Sequence, residues 1–303
     1  MADRERARSD RPSRSHSSGA EGSEDVSREL PSICGRSAIV VSWRALCRLS
    51  LIGILAGAAL APAGAAPPET IDQVAGAGPY FALTFDGHAE ANGAAELLAL
   101  LRERKVLATL FVTGRFALDN PALLRQAQAD GHEIGNHTMS HPHLTTWAEN
   151  HRHHTRPEIT RERLQEELRS AAVAITAVTG VVPSRFWRAP YGEHNAILRA
   201  WASQLGLTHV DWTHSPDDSL DALDWVEDSR ARNFLGPEAM ARRLISFERR
   251  TGVPLAGAIL LAHLGNSRPD APLREALPIF LDEMDRRGLR PLTVGSLLHR
   301  AGR

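Results

Sequence analysis

The chain has 303 residues, with 35 basic and 36 acidic side chains and a formal net charge of −1 at pH 7. This length suits one large domain or two small ones, and the balanced charge excludes a strongly basic surface for nucleic acid or anionic membranes. Both cysteines, Cys34 and Cys47, lie near the N-terminus. The remaining chain therefore offers no disulfide framework and no thiolate metal site, and any metal there needs His, Asp or Glu ligands.

Residues 1–40 are predicted to be a disordered N-terminal extension. The first 31 residues are rich in Arg, Ser, Asp and Glu and contain no aromatic residue, so they cannot bury enough apolar surface to offset chain entropy. A secretory signal rarely follows such a long extension. We therefore expect translation to begin nearer Val40 or Val41.

Residues 41–66 are predicted to be a secretory signal peptide. They combine a positive flank, an apolar run that starts at Leu49, and small residues at 63–65, as cleaved signals do. A membrane anchor is the alternative, but the apolar core is about thirteen residues, a span needs roughly 20, and Pro62 interrupts the run. We expect cleavage close to Ala66, no membrane span afterwards, and a periplasmic or secreted protein.

From Tyr80 onward, strand and helix patterns alternate along the chain. Strand patterns occupy 80–87, 107–114, 132–137, 185–192, 208–212 and 257–265, and helical patterns occupy 94–104, 121–131, 160–180, 195–206, 237–252 and 273–288. This alternation predicts parallel strands covered by helices. About seven such units fit before Leu298, without a repeat or an internal linker. Residues 67–303 are therefore predicted to form a single α/β domain.

Polar residues fall where the predicted strands end. They are Asp86 after the first strand, His137 and His141 after the third, Arg188 and Tyr191 in the fourth, and His263 in the last. In a parallel β/α barrel, catalytic groups gather at the carboxyl ends of the strands. Four strand ends that each carry an Asp, His or Arg predict an enzyme.

His137 and His141 have the spacing of a two-histidine metal half-site. A pair of structural or solvated loop histidines would have the same spacing, but Asp86 offers a carboxylate on a neighbouring strand end. Nitrogen and oxygen donors without sulfur suit zinc or a similar divalent ion.

Five stretches, in this order, resemble the polysaccharide deacetylases of the NodB-homology type, carbohydrate esterase family four. The matches are TFDG at 84–87, HEIGNHTMSHPHL at 132–144, RAPYG at 188–192, DW at 224–225 and LLAH at 260–263. The resemblance implies a distorted, incomplete (β/α)7-type barrel and the removal of N-acetyl or O-acetyl groups from polysaccharides.

The resemblance also implies an acid–base pair. Asp86 corresponds to the general base, Arg188 to the residue that orients it, and His263 to the general acid. Asp224 corresponds to the carboxylate that tunes His263. The match at 224–225 is the loosest of the five, because Asp211 also precedes a tryptophan and competes for this role.

The remaining correspondences concern the metal and the substrate. The resemblance implies that His137 and His141 bind a divalent metal, with zinc first and cobalt or nickel as alternatives. The backbone N–H of Tyr191 corresponds to an oxyanion donor, and Trp225 and Leu261 correspond to walls of the acetyl pocket.

The sequence departs from the family at position 87. The family usually carries two adjacent aspartates after TF, the second a metal ligand, whereas Gly87 stands here. We expect His88 to supply the third ligand, with Glu90 as a weaker candidate. The alternatives are a loop role for His88 and a metal held weakly by the two histidines and water.

The predicted function is metal-dependent hydrolysis of acetyl groups, mainly N-acetyl, from an extracytoplasmic polysaccharide such as peptidoglycan or a glucosamine-containing glycan. Such an enzyme is a hydrolase of carbon–nitrogen bonds other than peptide bonds, in linear amides. We expect an acetylated polysaccharide as partner, no nucleic acid, and a monomer. The alternatives are a metal-dependent C–N hydrolase for a small molecule and a catalytically inactive glycan-binding relative; the retained Asp86, Arg188 and His263 argue against the second.

Overall fold

The computed structural model describes residues 68–88 and 90–303. The predicted extension at 1–40 and the predicted signal peptide at 41–66 lie outside these residues. The strands are β1 (Tyr80–Gly87), β2 (Thr109–Val112), β3 (Glu133–Asn136), β4 (Phe186–Trp187), β5 (Thr208–His209), β6 (Ile259–His263) and β7 (Arg290–Leu292).

Helices follow most of the strands. They are α1 (Ala94–Glu103), α2 (Gly114–Asp119), α3 (Pro121–Ala129), α4 (Trp147–Asn150), α5 (Arg161–Thr179), α6 (Ala196–Ser203), α7 (Pro237–Ile245), α8 (Phe247–Thr251), α9 (Leu273–Arg286) and α10 (Val294–Arg300), with a 3₁₀ turn at Pro190–Gly192. Within the described ranges, no helix has both the length and the apolar character to cross a membrane.

The strands form one parallel sheet in the order β5-β4-β3-β2-β1-β6, and β7 pairs with the start of β1. Ala82, Phe111, Phe186 and Ile259, from four different strands, share one buried cluster. Side chains from distant strands meet there because the sheet curls around them. The predicted α/β fold, an incomplete barrel of about seven strands, is confirmed.

Alternation along β1 separates the outer core from the barrel interior. Phe81, Leu83 and Phe85 pack in the cluster that contains residues of α1 and α9. Successive side chains of a strand point to opposite faces, so Thr84 and Asp86 point inward. Both are buried. This alternation therefore places the Asp86 carboxylate on the inner face of the sheet, near the carboxyl end of β1.

Two helical predictions have different outcomes. Helix α5 has the predicted ends: the Thr160 side chain accepts a hydrogen bond from Arg163 N–H, and Gly180 adopts the left-handed conformation at φ 75°. The single helix predicted over 237–252 is wrong, because Ser246 separates α7 from α8. The Ser246 hydroxyl donates to the Arg242 carbonyl at 2.6 Å, and such bonding to the preceding turn often bends helices.

Candidate active site

The carboxyl ends of β1, β3, β4 and β6 surround a cavity of about 550 Å³, a size typical of ligand sites. Eight of the ten predicted site residues line it: Asp86, His88, His137, His141, Tyr191, Trp225, Leu261 and His263. The other two, Arg188 and Asp224, are fully buried and contact members of this set. The structure therefore brings all ten together.

Arg188 fixes the side chain of Asp86 through hydrogen bonds. Its Nη1 donates to Asp86 Oδ1 at 2.8 Å and to Thr84 Oγ1 at 2.9 Å. Its other nitrogens donate to the carbonyls of Val210 and Asp211, and the guanidinium lies 4.3 Å from the centre of the Phe111 ring. A buried charge needs a partner and hydrogen bonds, and this arginine has both. One oxygen of Asp86 is thereby fixed, and Oδ2 is left for the cavity.

His263 is the register partner of Asp86 on the neighbouring strand. Its Nδ1 lies 2.9 Å from Asp224 Oδ1, and its backbone N–H donates to Asp224 Oδ2 at 3.0 Å. Burial by itself would lower the pKa of His263, but the carboxylates of Asp224, Asp86 and Asp221, with Asp224 contributing most, together raise this pKa to about 9. Near neutral pH, His263 therefore carries a proton beside the cavity.

The structure separates the two aspartates that the sequence left in competition. Asp224 contacts His263, whereas Asp211 Oδ2 lies 3.0 Å from Nε2 of His194. The segment that leads to Asp224 reaches β6 through a parallel bridge between Asp221 and Leu261. The geometry thus favours Asp224 as the tuning carboxylate.

His137 and His141 present nitrogens to one another. His137 Nδ1 lies 2.9 Å from the Arg188 carbonyl; because a carbonyl only accepts, Nδ1 carries the proton and Nε2 keeps its lone pair. That Nε2 is 3.2 Å from Nε2 of His141. Burial lowers the pKa of His137 to about 3, and burial with the neighbouring His137 lowers that of His141 to about 2, so both imidazoles are neutral.

This pair fits a divalent ion. Two nitrogens bound to one tetrahedral zinc at 2.0–2.1 Å lie about 3.3 Å apart, close to the separation observed here. Metal ligation also requires neutral imidazole. Asp86 Oδ2 lies 3.7 Å from His137 Nε2. Across residues 68–88 and 90–303, however, no group of three or more His, Cys, Asp or Glu side chains is arranged around one ion position.

His88 lies beside the pair but with its ring face turned toward it. Its ring stacks on that of His141, with centroids 4.3 Å apart and planes at 14°. Imidazole lone pairs lie in the ring plane, so two nearly parallel rings do not direct them to one point. His88 as the third ligand stays a prediction.

Gly87 belongs to the packing side of β1. A Cβ at this position would lie 3.3 Å from two ring carbons of Phe116 and from Val112 Cγ1. An aspartate here would require these buried side chains to shift by a few tenths of an ångström.

The cavity rim carries exposed aromatic faces. Tyr191 is 53% exposed, Trp225 47% and Trp147 41%, while Leu261 is buried in the wall. The indole N–H of Trp225 donates to Asp221 Oδ2 at 3.2 Å, which holds the ring in place. Partly exposed rings at the rim of a cavity suit the apolar faces of sugar rings.

Among the residues that line the cavity, sequence reasoning did not single out His143, Trp147 and Glu193. His143 and Glu193 lie within or directly after matched motifs, in HPHL and PYGE, so their positions beside predicted site residues were the available signal. Their contact with each other joins segments fifty residues apart and is not visible in the sequence.

Comparison with known proteins identifies the family of this chain. The family model for polysaccharide deacetylase matches residues 73–210. The chain is 33% identical over 153 residues to a chitooligosaccharide deacetylase of Azorhizobium caulinodans, which covers 50% of this chain and 64% of that protein. It is 32% identical over 162 residues to a chitooligosaccharide deacetylase of Sinorhizobium fredii, covering 53% of this chain and 70% of that protein.

A third relative and a solved structure extend the comparison. A peptidoglycan-N-acetylmuramic acid deacetylase of Bacillus subtilis is 32% identical over 143 residues, which is 47% of this chain and 48% of that protein. The family 4 carbohydrate esterase of Streptomyces lividans, in complex with acetate, superposes with a TM-score of 0.53 at 28% identity, covering 70% of this chain and 91% of that one. The chain spans less than two thirds of the Azorhizobium and Bacillus relatives. The matched segment, the sheet and the ordered strand-end motifs agree, and the chain belongs to the polysaccharide deacetylase family.

Proposed function

We propose that this protein removes acetyl groups, mainly N-acetyl, from a glucosamine-containing polysaccharide by metal-dependent hydrolysis. The observation that carries the proposal is the pairing of Asp86 and His263 at adjacent strand ends. One is a carboxylate held by a buried arginine, and the other is an imidazole with a pKa of about 9. A base and an acid that line one cavity are what amide hydrolysis needs.

Each residue has a part in the proposed reaction. Asp86 Oδ2 accepts the proton of the attacking water, since Oδ1 is occupied by Arg188. The Tyr191 backbone N–H donates to the oxygen that becomes negative, a contribution worth about 3–4 kcal/mol per donor. His263 gives its proton to the departing amine nitrogen. A divalent ion held by His137 and His141 would polarise the acetyl oxygen and acidify water.

The substrate class rests on the cavity rim and on the relatives. The partly exposed rings of Tyr191, Trp225 and Trp147 line the cavity and are accessible to sugar rings. The relatives are named for chitooligosaccharide and for peptidoglycan. A polymer or oligomer of N-acetylated amino sugar therefore fits better than a small metabolite.

The direct test is acetate release. The protein is expected to liberate acetate from N-acetylglucosamine oligomers or peptidoglycan, and chelation should lower the rate. A panel that adds acetylated xylan separates N- from O-deacetylation, and Asp86→Asn, purified in parallel, gives the background. Acetate release at that background on every glycan would contradict the proposal, and activity on small amides alone would favour the small-molecule alternative.

The two metal histidines can be tested without turnover. We expect His141→Ala to weaken zinc binding by at least about tenfold, since even loss of an outer contact to a ligand costs 10–100-fold. Competition with a chromogenic chelator measures this affinity. His154→Ala removes an exposed loop histidine and should bind zinc like the parent. Equal affinities of His141→Ala and the parent would remove His141 from the metal site.

We also propose that the protein acts outside the cytoplasm as a monomer. The support for export is the positive flank, the apolar run from Leu49 and the small residues at 63–65. N-terminal sequencing of native material is expected to begin close to Ala66. A cytoplasmic protein that retains residues 41–65 would contradict export.

A further inference from the structure

His143 and Tyr191 form a stacked pair on the cavity wall. Their ring centroids are 4.0 Å apart and their planes differ by 10°. The His141 ring also contacts the Tyr191 ring: their centroids are 4.4 Å apart and their planes differ by 62°. The tyrosine ring therefore contacts two histidines, although half of the residue is exposed.

The backbone of Tyr191 is in an unfavourable conformation. It adopts φ 57° and ψ 15° inside the 3₁₀ turn, the left-handed region in which Cβ crowds the following carbonyl. Such residues persist only when their surroundings hold them. Among the described residues, none accepts a hydrogen bond from the Tyr191 N–H, so this donor is free for a ligand in the cavity.

Glu193 connects this turn to the loop that carries the metal histidines. It is 1% exposed. Its Oε2 accepts hydrogen bonds from the backbone N–H groups of Leu144 and Thr145, both at 2.8 Å. Its Oε1 lies 2.7 Å from Nδ1 of His143. One buried carboxylate therefore fixes the backbone of the loop and the ring of His143 together.

We propose that His143 is a positioning residue for Tyr191. Glu193 orients the His143 ring, the ring stacks on the Tyr191 side chain, and this contact keeps the left-handed backbone that presents the Tyr191 N–H to the cavity. The kinetic consequence rests on the proposed deacetylase function, while the structural consequence does not.

The structural arm uses the tyrosine content of the chain. There are only two tyrosines, Tyr80 and Tyr191, so protein labelled with 3-fluorotyrosine has two ¹⁹F resonances, and Tyr191→Phe assigns them. We expect His143→Ala and Glu193→Gln to shift and broaden the Tyr191 resonance and to leave that of Tyr80 in place. His143→Phe, which keeps a stacking ring but loses the contact with Glu193, should lie between the parent and His143→Ala. His154→Ala is the matched control on an exposed histidine.

The kinetic arm separates positioning from substrate contact. Misplacement of a reacting group by about 1 Å can cost 100-fold; for a donor that is loosened rather than lost, we expect His143→Ala to lower kcat about tenfold, with KM within about twofold. His143→Phe, which restores the stacking ring but not the contact with Glu193, should recover part of kcat. A raised KM with unchanged kcat would mean that His143 binds substrate instead.

The structural and kinetic measurements distinguish failure of the positioning proposal from failure of the proposed function. A Tyr191 resonance unchanged in both His143→Ala and Glu193→Gln overturns the positioning role, whatever the activity. A parent protein that releases no acetate overturns the proposed function, and the resonances then still decide whether His143 holds Tyr191. Ala and Phe variants of the half-exposed His143 remain informative if Glu193→Gln fails to fold.

Discussion

Replacing Asp86 with asparagine is expected to lower turnover by at least about a hundredfold, the scale at which general acid–base groups contribute. The amide oxygen of asparagine can still accept the hydrogen bond from Arg188 Nη1, which is 2.8 Å from Asp86 Oδ1 in the parent. The amide nitrogen that replaces Oδ2 has no proton affinity comparable to that of a carboxylate. The variant therefore keeps the acceptor for the buried arginine and loses the base.

Asp211→Asn is the matched control for this experiment. Asp211 is also a buried carboxylate near Arg188, which donates to its backbone carbonyl, but its side chain pairs with His194. The Asp211 side chain does not line the cavity, so this variant is expected to keep turnover near that of the parent. Initial rates of acetate release, with circular dichroism to verify folding, compare the two. Near-normal turnover in Asp86→Asn would show that another group acts as the base.

The fold was predictable where its signals are local. The ends of α5 are marked by Thr160 and Gly180, each of which acts through its own side chain or backbone. Helix α2 was missed because its six residues are too few to show a period; its start depends on the Thr113 side chain, which accepts from Phe116 N–H. The strand at 290–292 was missed because three residues carry little pattern.

The site was predictable to the level of residue type and strand end. Asp86, His137, Arg188 and His263 each follow or end an apolar run, and parallel strands bring those ends to one edge. The choice between Asp211 and Asp224 could not be made from the sequence, since both precede a tryptophan. That choice depends on which segment lies beside β6, a long-range contact.

The roles of Gly87 and His88 could not be settled from the sequence for a similar reason. The sequence shows that Gly87 carries no ligand, but not that its missing Cβ faces Phe116 and Val112. Nor does it show that the His88 ring stacks on His141. The direction of the Cβ at position 87 and the orientation of the His88 ring depend on three-dimensional packing. They decide whether a donor at either position can reach an ion.

Asp224→Asn is the second substitution for which we expect a large effect on turnover, because Asp224 keeps the proton on His263. Burial opposes the charged form of His263, and the Asp224 carboxylate is the main group that outweighs it. With a neutral amide in place of the carboxylate, burial dominates and the pKa of His263 falls. The descending alkaline limb of kcat is expected to move from near pH 9 to below the usual histidine value of about 6.5. At neutral pH most of the acid is then unprotonated, and turnover should fall at least about fourfold.

The effect of Asp224 on the pKa of His263 can also be tested without substrate, through the pH dependence of stability. Because the pKa of His263 is raised in the folded state to about 9, its protonation stabilises the fold fully below about pH 6.5, the unfolded value. This contribution is lost as the pH rises through 9. The melting temperature of the parent should therefore decline between pH 6.5 and 9 more steeply than that of Asp224→Asn, in which the raised pKa is absent. A variant whose alkaline limb and melting profile both match the parent would show that Asp224 does not set the protonation of His263, and the acid would have to be sought among the other groups that face the cavity.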